Sequence, residues 1–295
     1  MLYKAYPRGI EMEDNEIVQV ADTVEVVEVQ NPLLVKMAKR IPGVTYRLPS
    51  RGLFYKDSEL DPEVEDGEVV VFPMTTADEL KMRSQDMLMQ GTAITEVIAR
   101  CVPQIKKPHR LIASDVDFLL TCLRRVSYGE LLPVSHKCPN CEAPEKEYNL
   151  RIDLFIHRQT KDVTQEQYDS LSVNVGGFTV KLRPCVFEEL IKILQMGEID
   201  FESPETVSNW VNTSLLAVIK SVDGVTNREQ IKEWLDQSPV ALKSDLSTKV
   251  ALINEWGIEF DYDAPCDACG YVDAVKTTMN PIGFFMLPSK VETQT

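Results

Sequence analysis

The chain contains 295 residues, 44% of them hydrophobic, and carries a formal net charge of −15. This length suits one large or two medium domains that bury a substantial core. We expect no membrane-spanning segment, because no uninterrupted apolar run reaches about 18 residues, and no secretion signal, because residues 1–8 lack an apolar stretch. The large negative charge repels phosphate backbones, so we expect protein partners rather than nucleic acid.

Residues 1–47 are predicted to form an extended acidic N-terminal arm. The segment from Glu11 to Glu28 contains seven acidic residues and neither a basic residue nor a glycine. Pro32, Pro42 and Pro49 interrupt the sequence that follows. Such a segment becomes ordered against a neighbouring subunit or stays a disordered tail, and the composition leaves both possibilities open.

Residues 48–135 are predicted to form a compact module of one strand and several helices. The predicted elements are a strand at Val69–Phe72, a helix from a capping box at Thr76–Glu79 to about Gln90, a helix at Thr92–Cys101 and a helix capped by Ser114–Asp117. Gly91 is predicted to separate the first two helices. Cys101 and Cys122 fall on apolar helix faces, where we expect inert buried thiols.

Two C-x-x-C motifs carry the clearest chemical signal in the sequence. They consist of Cys138 and Cys141, and of Cys266 and Cys269, with strand-like sequence on both sides of each pair. Four thiolates on two tight turns between strands are typical of a zinc ribbon, so we predict one structural Zn²⁺ bound by these four cysteines. Gly270 suits the turn that follows the second pair.

Two other interpretations of the cysteine pairs remain: a redox-active C-x-x-C, and no metal at all. A redox motif lies between a strand and a helix N-terminus, whereas neither pair is followed by a helical pattern. His136 and Cys185 are spare ligand candidates. We leave His136 out of the ligand set because it lies only two residues from Cys138 and would crowd the same turn.

The two cysteine pairs divide the sequence into a ribbon and an insertion. The predicted parts are ribbon halves at residues 136–157 and 258–286, a hairpin and helical insertion at 158–257, and a tail at 287–295. The predicted fold class is therefore α+β. It combines a small zinc ribbon of β-strands with an N-terminal helical module and a large, mainly helical insertion.

Local patterns place the elements of these parts. The alternating run from Tyr148 to Ile156 predicts a strand in the first ribbon half. Gly176 and Gly177 predict a hairpin turn within the insertion. Helices are predicted at Pro204–Ser221, from a capping box at Thr226–Glu229 to Asp236, and at Val240–Trp256.

The sequence predicts no catalytic site, and we expect that the protein is not an enzyme. Four thiolates would complete the zinc coordination shell and leave no position for water. The chain contains no P-loop, G-x-S-x-G or H-E-x-x-H motif. Asp115 and Asp117 are interpreted as a cap and a first-turn acid rather than an acid–base pair. Cys185, a candidate nucleophile, has no histidine nearby in the sequence to activate it.

Several segments, taken in chain order, carry a family resemblance. They are Phe72–Glu79, Gly91–Ile94, Ser114–Phe118, Leu123–Gly129 and Cys138–Cys141. This ordered series resembles the baseplate protein family of T4-like contractile-tailed phages, including its hub and hub-assembly subunits, over residues 48–156 and more weakly to the end. The resemblance implies a non-enzymatic virion or assembly protein of the tail baseplate. It also implies assembly in the host cytoplasm with other baseplate or tail proteins. From the net charge and the lack of a long apolar run we expect neither a nucleic-acid nor a membrane partner.

The main alternative function is a zinc-ribbon nucleic-acid-binding or transcription-associated factor. Its support is a basic segment that contains Arg100, Lys106, Lys107, His109 and Arg110. Because no aromatic residues for base stacking interleave with these side chains, we interpret the segment as a solvated loop. A third alternative is a cysteine-dependent enzyme that uses Cys185.

Overall fold

The computed structural model describes residues 41–197, 200, 202–252 and 256–277, together with Asn31 and Leu33. The chain from Pro42 onward forms one compact unit. Its described residues fold into short helices and small antiparallel sheets, which confirms the predicted α+β class in this coarse form. Most of the predicted arm, the apolar patch at residues 282–286 and the tail at 287–295 lie outside the described residues.

A two-stranded sheet opens the compact unit. Strand β1 (Val44–Arg47) pairs antiparallel with β2 (Glu68–Val71), with Val44 opposite Val71. The strand predicted at Val69–Phe72 is therefore present as β2, but its partner β1 lies within residues 1–47, the segment predicted as the arm. Residues 44–47 thus belong to the compact unit, and no local turn in the sequence indicates that they pair with β2.

Four helices follow this sheet. They are α1 (Thr76–Met82), α2 (Gln85–Met89), α3 (Thr92–Cys101) and α4 (Ala113–Tyr128). Helix α3 has the predicted bounds, and Gly91 precedes it in the left-handed region at φ 73°. The predicted single helix to Gln90 is wrong, because Ser84 accepts from the Met87 amide and so starts a new helix.

Two predicted helix caps differ from the observed ones. The capping box before α1 uses Thr75 with Asp78, one residue earlier than predicted. Helix α4 begins after Ile112, which provides no side-chain cap, so Ser114 and Asp115 lie inside the helix rather than at its cap. The apolar faces of α3 and α4 pack together with β1 and β2 in the first core, which includes Cys101 and Cys122.

A hairpin and a helix follow α4. Strand β3 (Leu131–His136) pairs with β4 (Lys146–Arg151), and helix α5 (Ile152–Arg158) continues directly from β4. The predicted strand to Ile156 is therefore wrong beyond Arg151. Ile152, Phe155 and Ile156 are buried at helical spacing. The pattern is ambiguous because positions i and i+4, here Ile152 and Ile156, share one face in a strand as well as in a helix.

Twelve further elements complete the described part of the chain. They are β5 (Thr160–Lys161), α6 (Gln165–Asp169), β6 (Ser172–Val175), β7 (Phe178–Leu182), α7 (Phe187–Leu194), α8 (Pro204–Val218), β8 (Ile219–Val222), α9 (Arg228–Gln237), α10 (Val240–Leu252), β9 (Gly257–Ile258), β10 (Phe260–Pro265) and β11 (Val272–Thr277). Strands β6, β7 and β8 form an antiparallel sheet in that order, and β5 pairs with β9.

The hairpin predicted around Gly176 and Gly177 is confirmed, because β6 and β7 flank these residues and both glycines have positive φ. The predicted helix to Ser221 ends at Val218, since residues 219–222 pair with β7 instead. Asn227, rather than Thr226, caps α9 by accepting from the amides of Glu229 and Gln230.

The predicted insertion contributes to both cores. Val180, Leu215 and Leu235 are buried in the second core, whereas Phe187 and Ile191 of α7 are buried in the first. Packing therefore crosses the predicted boundary at residue 158, and the division into separate parts stays a prediction. Among the described helices, none combines the length and apolar character that a membrane crossing requires.

Candidate metal centre

Two hairpins bring the C-x-x-C motifs together. Cys138 and Cys141 lie in the connection between β3 and β4, directly after the last pair of that ladder, His136 with Lys146. Cys266 and Cys269 lie in the connection between β10 and β11, after Pro265 pairs with Val272. Each pair of thiols is therefore placed on a tight turn at the end of an antiparallel ladder.

The four sulfurs form one cluster. All four Sγ atoms lie within 4.8 Å of one another. The Sγ atoms of Cys138 and Cys269 are 3.7 Å apart, as are those of Cys141 and Cys266. These separations exclude disulfides, whose S–S bond is about 2.05 Å. A tetrahedral Zn²⁺ with Zn–S bonds of about 2.3 Å requires S···S edges of about 3.8 Å, so the thiols fit this ion.

Backbone hydrogen bonds shape the second turn. The Cys266 amide donates to the Tyr271 carbonyl at 2.8 Å, and the Gly270 amide donates to the Cys266 carbonyl at 2.9 Å. Gly270 has φ 71°, a left-handed conformation that glycine adopts without strain. The turn that the sequence predicted at this glycine is therefore present.

Two of the four closely spaced thiols have pKa values that are shifted in opposite directions. Hydrogen bonds from the Tyr271 amide and Asn140 favour the thiolate and lower the pKa of Cys269 to about 6. The Ala143 amide lowers the pKa of Cys141, but the neighbouring sulfurs outweigh it and raise the value to about 12. Adjacent thiolates repel, and a bound cation would relieve that repulsion.

Three side-chain contacts join the two hairpins beside the sulfurs. The Tyr148 hydroxyl donates to the Pro265 carbonyl at 2.7 Å. Lys146 Nζ lies 2.6 Å from Asp267 Oδ2. His136 Nε2 lies 3.0 Å from Asp273 Oδ2, but the geometry of this contact does not meet the criteria for a hydrogen bond. Sequence reasoning missed all three contacts, because each partner lies more than 100 residues away and no local pattern connects them.

A family model described as T4 bacteriophage base plate protein matches residues 56–286. The match covers more than three quarters of the chain and contains both C-x-x-C motifs. The chain belongs to this base plate protein family. The predicted resemblance is thus confirmed at the level of the family, and it extends well beyond residue 156. Neither the curated proteins nor the solved structures gave a match.

The other cysteines of this base plate protein lie outside the cluster. Burial raises the pKa of Cys101 to about 12 and holds that of Cys122 well above its ordinary value. Cys185 also has its pKa raised by burial, to about 11. A thiol with these values stays protonated near neutral pH and is a poor nucleophile. The environment of Cys185 therefore counts against the alternative of a cysteine-dependent enzyme.

Asp115 anchors the turn before β2 to helix α4. Its side chain is fully buried. It accepts from the Ser50 amide at 3.1 Å, the Ser50 hydroxyl at 2.5 Å and the Tyr55 hydroxyl at 2.7 Å. Burial raises its pKa to about 6, partly offset by these donors. Asp115, which the sequence predicts as a helix cap, instead links the turn around Ser50 to helix α4 through these hydrogen bonds.

Asp117 lies two residues further along α4 and has a different environment. Burial alone raises the pKa of this carboxyl to about 7. Within the described residues, no hydrogen bond or ion pair reaches its carboxylate oxygens. Asp115 therefore accepts from three donors, whereas the Asp117 carboxyl has no partner among the described residues and lines a cavity that Trp256 and Gly257 also line.

We expect the stability of this base plate protein to fall as the pH rises from 5 to 8 because of Asp117. The folded carboxyl keeps a proton that the unfolded one, with an ordinary pKa of 3.8, loses. Its stabilising contribution is therefore complete below about pH 4 and is lost as the pH rises through about 7. Asp117→Asn should reduce the pH dependence by a few kcal/mol. Urea unfolding of the zinc-loaded wild type and variant at several pH values measures the free energy of unfolding. The prediction is contradicted if this free energy changes with pH equally in both proteins.

Three cations of the basic segment considered for nucleic-acid binding are paired with carboxylates. Lys106 Nζ lies 2.8 Å from Asp61 Oδ2, and Arg110 Nε lies 3.3 Å from Glu59 Oε1. Arg100 pairs with Asp78, and Lys107 donates to the Ser58 hydroxyl at 3.1 Å. Cations already paired with carboxylates release few counterions from a phosphate backbone. This arrangement disfavours the nucleic-acid alternative.

Proposed function

We propose that this base plate protein is a non-enzymatic structural or assembly component of the tail baseplate in a contractile-tailed phage, of the hub or hub-assembly type. The observation that carries the proposal is the family match over residues 56–286. Its partners are other baseplate or tail proteins, which it joins in the host cytoplasm. The net charge of −15 suits surfaces that meet basic patches on those partners.

We further propose that Cys138, Cys141, Cys266 and Cys269 hold one structural Zn²⁺. The support is the convergence of four sulfurs within 4.8 Å of one another, two pairs of which are 3.7 Å apart, close to the edge of a tetrahedral zinc site. When bound, the ion would supply folding free energy by joining the two turns. The hairpins β3–β4 and β10–β11, which lie in the ribbon halves predicted at residues 136–157 and 258–286, then form one zinc ribbon, with residues 158–257 between them in the chain.

The protein's own residues position the proposed ribbon. The two ladders β3–β4 and β10–β11 orient the thiols, and the amide donors at each turn stabilise the thiolates. The contacts of Tyr148 and Lys146 hold the hairpins at the correct separation. Because β4 continues into α5, whose Ile152 is buried in the first core, the ribbon is fixed to the body of the protein.

The role in the baseplate is tested by removing the protein from the phage. We expect that deletion of its gene stops the formation of functional tails, and that mass spectrometry detects the protein in purified particles or in tail intermediates. Presence in particles would identify a permanent component, whereas presence only in intermediates would identify an assembly factor. Normal plaque formation after deletion, with the protein absent from both samples, would contradict the proposed function.

A further inference from the structure

A cavity of about 230 Å³ lies away from the metal centre. It opens where the first turns of α4, the segment before α7 and strand β9 meet. Its walls include Ser114, Asp117, Pro184, Cys185, Trp256 and Gly257. One water molecule needs only on the order of 10–15 Å³ of such volume, so the cavity has room for a larger group.

The walls of this cavity are closely packed against one another. The Ala113 amide donates to the Cys185 carbonyl at 2.9 Å, which joins α4 to the segment before α7. Gly257 has φ 110°, and a Cβ there would lie 2.9 Å from Ser114 Cβ, so only glycine allows β9 to approach α4 this closely. Trp256 stacks on Phe54 at a centroid distance of 5.6 Å. The cavity is therefore preformed by residues from distant parts of the chain.

Asp117 is the one carboxylate among the residues that line the cavity. Its partly buried carboxyl receives no hydrogen bond or ion pair from any described residue. Asp115, two residues earlier, accepts from three donors by contrast. Without a partner among those residues, the desolvated Asp117 carboxyl keeps its proton to a higher pH than an exposed one, because an unpaired buried charge costs free energy. A cation in the cavity would supply the missing partner and favour the ionised form.

We propose that this cavity binds the head of an organic cation, a guanidinium or alkylammonium group, with Asp117 as its counter-ion. A carboxylate binds such cations through charge-assisted hydrogen bonds. Trp256, whose ring stacks on Phe54 on one side, also lines the cavity. One carboxylate and one thiol are too few ligands for a metal ion. The cation could belong to a free small molecule or to an arginine or lysine side chain of another polypeptide, and both sources present the same chemistry.

The proposal is tested with n-butylguanidinium as the probe and with n-butylurea as an uncharged analogue of nearly the same shape. The zinc-loaded full-length protein is titrated in phosphate buffer, and binding is followed through the indole N–H signals in ¹⁵N–¹H spectra. The chain contains three tryptophans, so Trp256→Phe identifies the signal of Trp256. We expect n-butylguanidinium to shift this signal saturably and n-butylurea to leave it unchanged.

Asp117→Asn removes the charge while keeping the shape of the side chain, and we expect it to weaken n-butylguanidinium binding about 10- to 100-fold. Asp86→Asn, a matched change at an exposed first-turn acid of α2, should leave binding unaltered. A capped Gly-Arg-Gly peptide separates the two sources: tighter binding than n-butylguanidinium indicates a polypeptide ligand, and weaker binding indicates a free small cation. The proposal would be overturned if neither n-butylguanidinium nor the peptide binds the wild type, or if n-butylguanidinium binds the Asp117→Asn variant as tightly as the wild type.

Discussion

Replacement of Cys138 by serine is expected to remove the proposed zinc ion and to unfold the two hairpins that carry the thiols. Its Sγ lies 3.7 Å from that of Cys269, so the change deletes one corner of the sulfur cluster. Structural zinc sites in small domains contribute apparent binding free energies of about 10–16 kcal/mol, which is comparable to the whole stability of a domain. We therefore expect less than one tenth of an equivalent of zinc in the variant, on the order of the background of metal analysis.

Hydrogen exchange locates the damage that this substitution causes. The amides of β3, β4, β10 and β11 should lose most of their protection from exchange. Those of α3 and α4 should stay protected, because none of the four clustered cysteines belongs to the first core. The matched control is Cys185→Ser, which changes a cysteine outside the cluster. It should retain zinc and protected hairpins. Normal zinc content together with protected hairpins in Cys138→Ser would contradict the proposed site.

Substitution of Asp115 by alanine is expected to destabilise the fold by about 2–4 kcal/mol, because buried donors left without an acceptor each cost about 1–3 kcal/mol. The Ser50 amide, the Ser50 hydroxyl and the Tyr55 hydroxyl all lose their acceptor. The Tyr55 oxygen also accepts from the Ile112 amide at 3.1 Å, so the start of α4 should loosen as well. Urea unfolding at pH 7 measures the loss.

Two variants make the Asp115 experiment specific. Asp115→Asn keeps an acceptor oxygen and should lose less stability than Asp115→Ala. Asp86→Ala removes an exposed acid from the first turn of another helix and should change the free energy of unfolding by no more than about 0.5 kcal/mol. Equal effects of Asp115→Ala and Asp86→Ala would show that the buried hydrogen bonds contribute nothing to stability.

The elements with strong local signals could be predicted from the sequence. Gly91 separates α2 from α3 because its backbone is left-handed, and the apolar stripe of α3 has a clear helical period. Gly176 and Gly177 determine a hairpin in the same local way. Such signals depend only on neighbouring residues, so no knowledge of tertiary contacts was needed.

Other elements depend on distant partners and could not be predicted. Residues 219–222 continue the apolar pattern of α8, yet they pair with β7 to complete a sheet. Residues 152–156 alternate like a strand, but they form a helix that buries Ile152 and Ile156 against the first core. In both segments tertiary packing overrides the local pattern.

The two candidate sites also differ in whether local sequence or distant contacts reveal them. The ligand type of the metal centre follows from each C-x-x-C pair alone, because two thiols on one turn suit a metal ion. The contact of His136 with Asp273 and the cavity around Asp117 depend on residues brought together from separate segments. No spacing rule connects Asp117 with Gly257, so the cavity is visible only in the folded chain.

The metal content of the purified full-length protein tests the central claim most directly. The protein is prepared under reducing conditions without chelators, and its metals are measured by plasma mass spectrometry beside the protein concentration. With Cys138, Cys141, Cys266 and Cys269 as one complete site, we predict about one equivalent of zinc per chain. A content below about half an equivalent, with no other metal making up the difference, would contradict the proposed zinc ribbon.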